Sequence, residues 1–338
     1  MRAGLITGKN QFELVQREDP IPGPFEVVIA VELCGICGSD IHAYVEGWKY
    51  APGTCGHECV GPQVLGVTSE GDRVTGALAP GCGRCQECRS GMSQYCKKSW
   101  SEYAGSSGPT SGGFAPFLKV TAERVIKIPE RIDVRDAALI EPAAVAFHAV
   151  RRSNIRIGDV VCIVGAGAIG LLTAQCARAA GAGLVIAIDP DESRRELGLT
   201  LGLDRAVAPG EELSQILSEV NGGLKADLAF DCAGIPQTMQ QSVDMVRRGG
   251  GVCLVGVTSQ NATISPIRWI SKEITLYTSM VFTLEEMKAT AGMILDRRIL
   301  VAPLRNEIIN LDELGETIDG LANRRIQAVK ILVDPSAG

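Results

Sequence analysis

Four cysteines stand at short intervals in one polar stretch, Cys82-x2-Cys85-x2-Cys88-x7-Cys96. Four thiolates so spaced can surround one tetrahedral zinc ion and close it to solvent, which staples a loop and leaves no open position for reaction. An iron–sulfur cluster is the rival occupant, although the ferredoxin run ends differently and no proline follows Cys96. A second, dispersed set comprises Cys37 within Gly35-Ile36-Cys37-Gly38-Ser39-Asp40-Ile41-His42, then Gly56-His57-Glu58, then Glu141-Pro142. The chain has 3 histidines, and His42 and His57 both fall in these glycine-flanked segments beside cysteine and acids. Three ligands of mixed type with one position left open are what a catalytic zinc requires. Spacing alone does not unite the three segments.

A third chemical signal is glycine-rich. Val160-Val161-Cys162-Ile163-Val164 runs into Gly165-Ala166-Gly167-Ala168-Ile169-Gly170, and a helical pattern follows. Gly165 permits a tight turn, Gly167 lets backbone approach a pyrophosphate, and Gly170 lets helix and strand pack closely. The phosphates of a dinucleotide then sit on the free N–H groups of the helix N-terminus. Asp189 ends the next apolar run, 24 residues after Gly165. A carboxylate there accepts from the ribose hydroxyls and repels a 2′-phosphate, so NAD is expected over NADP. Arg194 either covers the adenine face or reaches a 2′-phosphate, which keeps NADP open. Val257, at the end of a later apolar run, is expected beside the same cofactor.

The elements that must position these groups fall into three textures. Residues 1–142 are rich in Gly, Pro and Cys with short alternating strands such as Val27–Val31, an all-β pattern. Residues 143–283 alternate buried strands (Val160–Val164, Leu184–Ile188, Leu228–Phe230, Val252–Val257, Ile274–Tyr277) with helices starting near Ala168, Glu192, Glu211 and Pro236, which predicts a parallel, doubly wound sheet. Residues 284–338 open with a helix carrying a Thr283/Glu286 capping box, continue with a helix near Asp312, and end with a strand at Val329–Val333. That tail is expected to return to the first domain.

Composition narrows the class. The 338 residues exceed one ordinary core and suit two domains. Lys plus Arg is 33 against 39 acids, a net charge of −6, and the pI near 5.3 gives no footprint for nucleic acid or an anionic membrane. No apolar run is long enough to span a bilayer, and Met1-Arg2-Ala3-Gly4 leads into a polar segment rather than a signal peptide, so a cytoplasmic location is expected. Twelve cysteines in such a compartment point to metal rather than disulfides, and eight of them lie between Cys34 and Cys96. Cys162, Cys176, Cys232 and Cys253 read as small core residues.

In this order along the chain, the Cys37 segment, Gly-His-Glu, the four-cysteine lobe, Gly71-Asp72-Arg73-Val74, Glu141-Pro142 and the glycine fingerprint resemble the zinc-dependent medium-chain dehydrogenases. The Glu141-Pro142 variant is similar to the sorbitol, butanediol and threonine dehydrogenase branch. The resemblance implies an α/β protein with a GroES-like β-barrel catalytic domain and a Rossmann domain. It implies Cys37, His57 and Glu141 on a catalytic zinc, with Glu58 as a neighbour or an exchangeable ligand. Ser39 would then hydrogen-bond the substrate hydroxyl, His42 would end a proton relay, and Asp40 would support the ligands. Cys82, Cys85, Cys88 and Cys96 would hold a structural zinc.

Some positions depart from that pattern. Gly38 stands where liver-type enzymes carry an arginine near the cofactor phosphates. The stretch from His57 to Asp72 is shorter than usual, and Cys34 and Cys55 are additional thiols, read as packing residues, alternative ligands or oxidation-sensitive groups. His42 as a surface histidine, and Glu58 as a mere orienter of His57, remain the simpler alternatives. Phe114, Phe117 and Trp48 either line a pocket or pack in a core, and His148 reads as a helix residue without chemistry.

The function so implied is hydride transfer from a small alcohol or polyol to NAD. An amino alcohol such as threonine, or a hydrophobic cyclic alcohol, is the alternative substrate. The apolar strand Ile274–Tyr277 is expected to join copies into a homodimer or homotetramer. A zinc-stapled nucleic-acid binder is the rival from another class, and the acidic balance opposes it.

Overall fold

Strands covered on both faces read as unbroken apolar runs, and the middle of the chain obeys that rule. The computed structural model describes residues 1–47, 56–66, 71–76, 81–98 and 112–337. Trp48 and Cys55 lie outside the described residues. The chain divides into two compact units, one of residues 1–141, 281–295 and 305–338, the other of residues 142–280 and 296–304.

The first unit is built on antiparallel strands. A hairpin joins β1 (Arg2–Gly8) and β2 (Gln11–Gln16). The larger sheet contains β3 (Glu26–Ala30), β4 (Leu33–Gly35), β5 (Glu58–Gly66), β6 (Arg73–Gly76), β7 (Phe117–Thr121) and β8 (Val125–Lys127). Two strands near the chain end, β15 (Arg305–Asn310) and β16 (Lys330–Asp334), extend it past β4. The return is therefore a matter of backbone pairing: Leu332 faces Gly35 and Val333 faces Cys34, antiparallel, directly before the Cys37 segment. Ile36, Ala43, Cys59, Phe114, Leu314, Ile331 and Val333 share one apolar core. Phe114, 1% exposed, is a core residue.

The second unit carries a parallel sheet in the order β11–β10–β9–β12–β13–β14, where β9 is Val160–Val164, β10 Leu184–Ile188, β11 Arg205–Val207, β12 Ala226–Asp231, β13 Val246–Leu254 and β14 Thr275–Thr278. The order reverses at β9, which is the doubly wound pattern. Helices Ala168–Ala179, Glu192–Thr200, Glu211–Glu219 and Pro236–Met245 begin at the residues the pattern predicts. Residues 296–304, within the stretch expected to return to the first domain, pack with this unit. Gln175 fastens them, its side-chain oxygen accepting from Leu300 N–H at 2.7 Å and its amide donating to Leu300 O at 3.1 Å. Leu171 and Phe230 are fully buried, each side chain contributing about 1.5–3 kcal/mol.

Gly170 sets the packing of the first helix on β9. A Cβ there would stand 1.8 Å from the Gly165 carbonyl oxygen. Gly170→Ala should cost about 1–3 kcal/mol in urea unfolding and displace the glycine turn. An unchanged midpoint would show that the turn tolerates a side chain.

Candidate metal and dinucleotide sites

Strand register brings the dispersed segments together. In the β4–β5 pair Gly35 faces Glu58 and Cys34 faces Cys59, so the residues that follow β4 and those that open β5 share one end of the sheet. Cys37 caps the Gly38–Glu46 helix, and Asp40 in its first turn accepts from Cys37 N–H at 2.9 Å. The other Asp40 oxygen accepts from Gly56 N–H at 3.4 Å. Asp40, 4% exposed, thus ties the Cys37 segment to the Gly56-His57 segment. Burial raises its pKa, while His57 and the two N–H groups oppose that rise.

The ligand atoms of Cys37, His57 and Glu58 lie within 4.8 Å of one another. Around one tetrahedral ion with bonds of about 2.0–2.3 Å, ligand atoms stand roughly 3.3–3.8 Å apart, so this donor set of one thiolate, one imidazole and one carboxylate fits zinc. Glu141 is not one of the three. It is 4% exposed in the first turn of the Ile140–Arg152 helix, and the charges of His57, Glu58 and Cys37 all act on it. Burial pushes its carboxyl up to about 8 and the Cys37 thiol up to about 12. The Ser39 hydroxyl hydrogen-bonds the Cys37 sulfur. His42, on the same helix, pairs Nδ1 with Glu46 Oε1 at 3.0 Å. An ionised carboxylate only accepts, so in a neutral ring this contact places the proton on Nδ1.

Lys330 carries no local signal in the sequence. Its ammonium contacts both Glu58 oxygens, at 2.7 and 2.6 Å, with Lys330 5% and Glu58 1% exposed. Burial alone would lower the lysine pKa, but Glu58 and Cys37 raise it above its ordinary value. Removing one partner of such a pair strands a buried charge, a loss of roughly 3–5 kcal/mol.

The cysteine lobe is separate. Sγ atoms of Cys82, Cys85, Cys88 and Cys96 lie within 4.8 Å of one another. The Gln86–Arg89 helix and the turn before Cys96 hold them, Cys82 N–H points at Cys96 Sγ at 3.3 Å, and Cys96 is fully buried. Backbone N–H groups of Arg84 and Cys85 lower the pKa of Cys82, as a metal-binding thiolate needs. Cys34, Cys59, Cys162, Cys176 and Cys253 are buried free thiols, Cys232 is partly buried, and burial raises the pKa of each of the last four.

In the second unit Gly165 has φ +92°, and Gly167 caps the helix that opens at Ala168, with Ile169 and Gly170 in its first turn. A Cβ on Gly167 would meet nothing within 4 Å, so backbone there is open to a phosphate. Asp189, 4% exposed, accepts from Ala166 N–H at 2.7 Å and from Asp191 N–H at 2.9 Å. Arg194 reaches towards Asp189, Nη1 to oxygen 3.9 Å. Val257, 50% exposed, follows β13 and lies against Gly234. Asp231, which the sequence reading passed over, ends β12 as a buried acid and accepts from Thr238 Oγ1 at 2.8 Å and Ala233 N–H at 3.2 Å. An acid closing an apolar run is the same signal that marked Asp189.

The chain matches two family models, the alcohol dehydrogenase GroES-like domain over residues 23–130 and the zinc-binding dehydrogenase domain over residues 168–296. It is 30% identical to sorbitol dehydrogenase of Halalkalibacterium halodurans, with 97% of each chain covered. It is 33% identical to L-galactonate-5-dehydrogenase of Escherichia coli, covering 88% of this chain and 93% of that one. The crystal structure of 2R,3R-butanediol dehydrogenase from Bacillus subtilis superimposes with a TM-score of 0.86 at 28% identity over 99% of each chain.

Two outcomes test the metal chemistry. The protein should bind about two zinc ions per chain, and Cys96→Ser about one, by metal analysis of the purified chains. In the metal-free protein Cys37 holds its proton at neutral pH and Glu141 largely holds its own, so ligation must expel at least one. Zinc affinity at the Cys37–His57 site should therefore rise about tenfold per pH unit between pH 6 and 8 for each proton released. A flat profile in chelator competition would contradict it.

Proposed function

The chain belongs to the zinc-dependent medium-chain dehydrogenase family, and on that premise we propose that it oxidises a secondary hydroxyl of a small polyol or related alcohol with NAD as hydride acceptor. The observation that carries this reading is one cluster of Cys37, His57 and Glu58, the first two partly buried and the third buried, in a chain that also presents a glycine turn answered by Asp189. Bound zinc would supply a Lewis acid that lowers the pKa of an alcohol hydroxyl, and NAD would supply the acceptor for the hydride.

The protein's own groups do the rest. Cys37 and His57 hold the ion, with Glu58 or Glu141 as third ligand. Ser39, one hydrogen bond from Cys37, takes the hydroxyl proton, and Nε2 of His42 receives it at the outer end of the relay. Glu46 fixes the ring for that task. The helix N-terminus after Gly167 receives the pyrophosphate. Asp189 favours the unphosphorylated ribose, and its hold on Arg194 draws that cation away from a 2′-phosphate. The four cysteines of the lobe hold a second zinc with no reaction of its own. Cysteines committed to metal rather than to disulfides suit a reducing, cytoplasmic setting.

The polyol class rests on the relatives, which act on sorbitol and L-galactonate by their names, and on the resemblance of Glu141-Pro142 to the sorbitol and butanediol dehydrogenase branch. In the assembly, β14 is an edge strand with Leu276 44% exposed, beside Ile267, Ile270 and Met280 at 69%, 70% and 60%. Those side chains support pairing of two copies across a two-fold axis.

Absorbance of NADH, recorded with sorbitol, 2,3-butanediol, L-galactonate and threonine, should rise on at least one hydroxyl substrate and be abolished by a zinc chelator. NADP should serve at least about tenfold less well in kcat/KM. Turnover that survives complete zinc removal would contradict the mechanism. Leu276→Arg should halve the mass seen by light scattering. An unchanged mass would place the subunit contact elsewhere.

A further inference from the structure

Asn221 is followed by Gly222, the one Asn-Gly pair in the chain. It stands where the Glu211–Glu219 helix has ended and the chain turns towards β12. Asn221 and Gly222 are both left-handed, at φ 54° and 67°, and residues 221–224 are exposed. Asparagine accepts that conformation more readily than most residues. Its side-chain amide donates to Lys225 O and to both oxygens of Asp227, each at 3.3 Å. Asp227 in turn anchors three neighbouring strands. It lies in β12, accepts from Val160 N–H at the start of β9 at 2.8 Å, and pairs with Arg247 Nε of β13 at 2.6 Å.

We propose that Asn221-Gly222 is a site of hydrolytic deamidation whose product loosens the amino ends of β9, β12 and β13. The Gly222 nitrogen, once it sheds its proton, attacks Asn221 Cγ. A C–N bond closes a five-membered succinimide, the Cγ–Nδ2 bond breaks, and the amide nitrogen leaves as ammonia, carrying the equivalent of that proton. Water then opens the ring at either carbonyl and yields aspartate or isoaspartate. Water is the sole co-reactant. Closure requires rotation about Asn221 ψ from its 34°, and the glycines at 222 and 223 ease that rotation in an exposed turn. No side chain at 222 obstructs the attack, and even a Cβ there would meet nothing within 4 Å. The three contacts of the Asn221 amide are long and exposed, so they restrain it weakly.

The product differs from asparagine in what it does to Asp227. A second carboxylate at 221 faces the first, and the amide bonds to Asp227 are lost. Arg247 is already engaged by Asp227, and the Lys225 ammonium donates to Asp244 O at 2.8 Å. An asparagine kept only for its backbone conformation would lose little on conversion, because aspartate visits the same region. The chemistry needs neither metal nor NAD, so it stands or falls apart from the dehydrogenase reading.

The full-length protein is held warm in mildly alkaline buffer, and its peptides are followed by mass spectrometry and by labelling with an isoaspartate-specific methyltransferase. Residue 221 should exchange NH2 for OH, with isoaspartate formed, before any other asparagine does. Asn221→Gly, which keeps the left-handed turn, should take up no label there. Asn221→Asp supplies one product directly and should lower Tm by roughly 2–4 °C. In an Asp227→Asn background the same substitution should shift Tm by less than about 1 °C, since the opposing carboxylate is gone. An Asn221 that stays intact through prolonged incubation overturns the site. An unchanged Tm in Asn221→Asp, or an equal loss in both backgrounds, overturns the effect on the sheet. Should Asp227→Asn not fold, Asn221→Gly is the uncharged reference, because it loses the same amide bonds without adding charge. Its Tm should stay above that of Asn221→Asp, and an equal fall overturns the proposal.

Discussion

The ligand atoms of Cys37, His57 and Glu58 stand within 4.8 Å of one another, and burial raises the pKa of the Cys37 thiol and of the nearby Glu141 carboxyl. The chain supplies one cation itself, the ammonium of Lys330, in contact with both oxygens of Glu58 at 2.7 and 2.6 Å. A divalent ion bound there would supply further positive charge. Much of the first unit serves this arrangement. The chain end must come back so that β16 can lie against β4, position 35 must be glycine so that Glu58 can cross it, and Asp40 must join the two ligand segments through Cys37 N–H and Gly56 N–H.

The second unit solves a different problem with backbone. Pyrophosphate binding needs exposed N–H groups and close approach, which Gly165 and Gly167 provide, and a helix tight against β9, which Gly170 provides. Asp189 beside the turn is held by two backbone N–H groups, a carboxylate where the ribose of a dinucleotide would lie. In the proposed chemistry the labour divides: side chains and metal would handle the proton, and the backbone turn would hold the carrier of the hydride.

The parallel sheet was legible because its strands are continuous apolar runs closed by glycine or acid. Val160–Val164 and Leu184–Ile188 stand where the pattern puts them. What escaped were polar strands. Arg205–Val207 is three residues long, Val246–Leu254 begins with Arg247-Arg248-Gly249, and Arg305–Asn310 is a charged edge whose alternation gives little signal. The thiol and imidazole of the metal site were legible from rarity and flanking glycines. That Glu58 stands within reach of them was not, since it depends on the pairing of Gly35 with Glu58, a register that no local pattern encodes. Lys330 was invisible for a similar reason. A lysine before Ile331-Leu332-Val333 reads as a solvated strand end, and only the antiparallel contact with β4 buries it.

A zinc ion held by Cys37 and His57 is the centre of the proposed chemistry. The most direct measurement is a crystal structure of the zinc-loaded protein with anomalous data at the zinc edge. One ion should stand about 2.3 Å from Cys37 Sγ and about 2.0–2.1 Å from a ring nitrogen of His57, with a position open to substrate, and a second ion among the four lobe cysteines. An ion closed in by four protein groups at the first site, or no ion at Cys37 and His57 at all, would overturn the proposed chemistry.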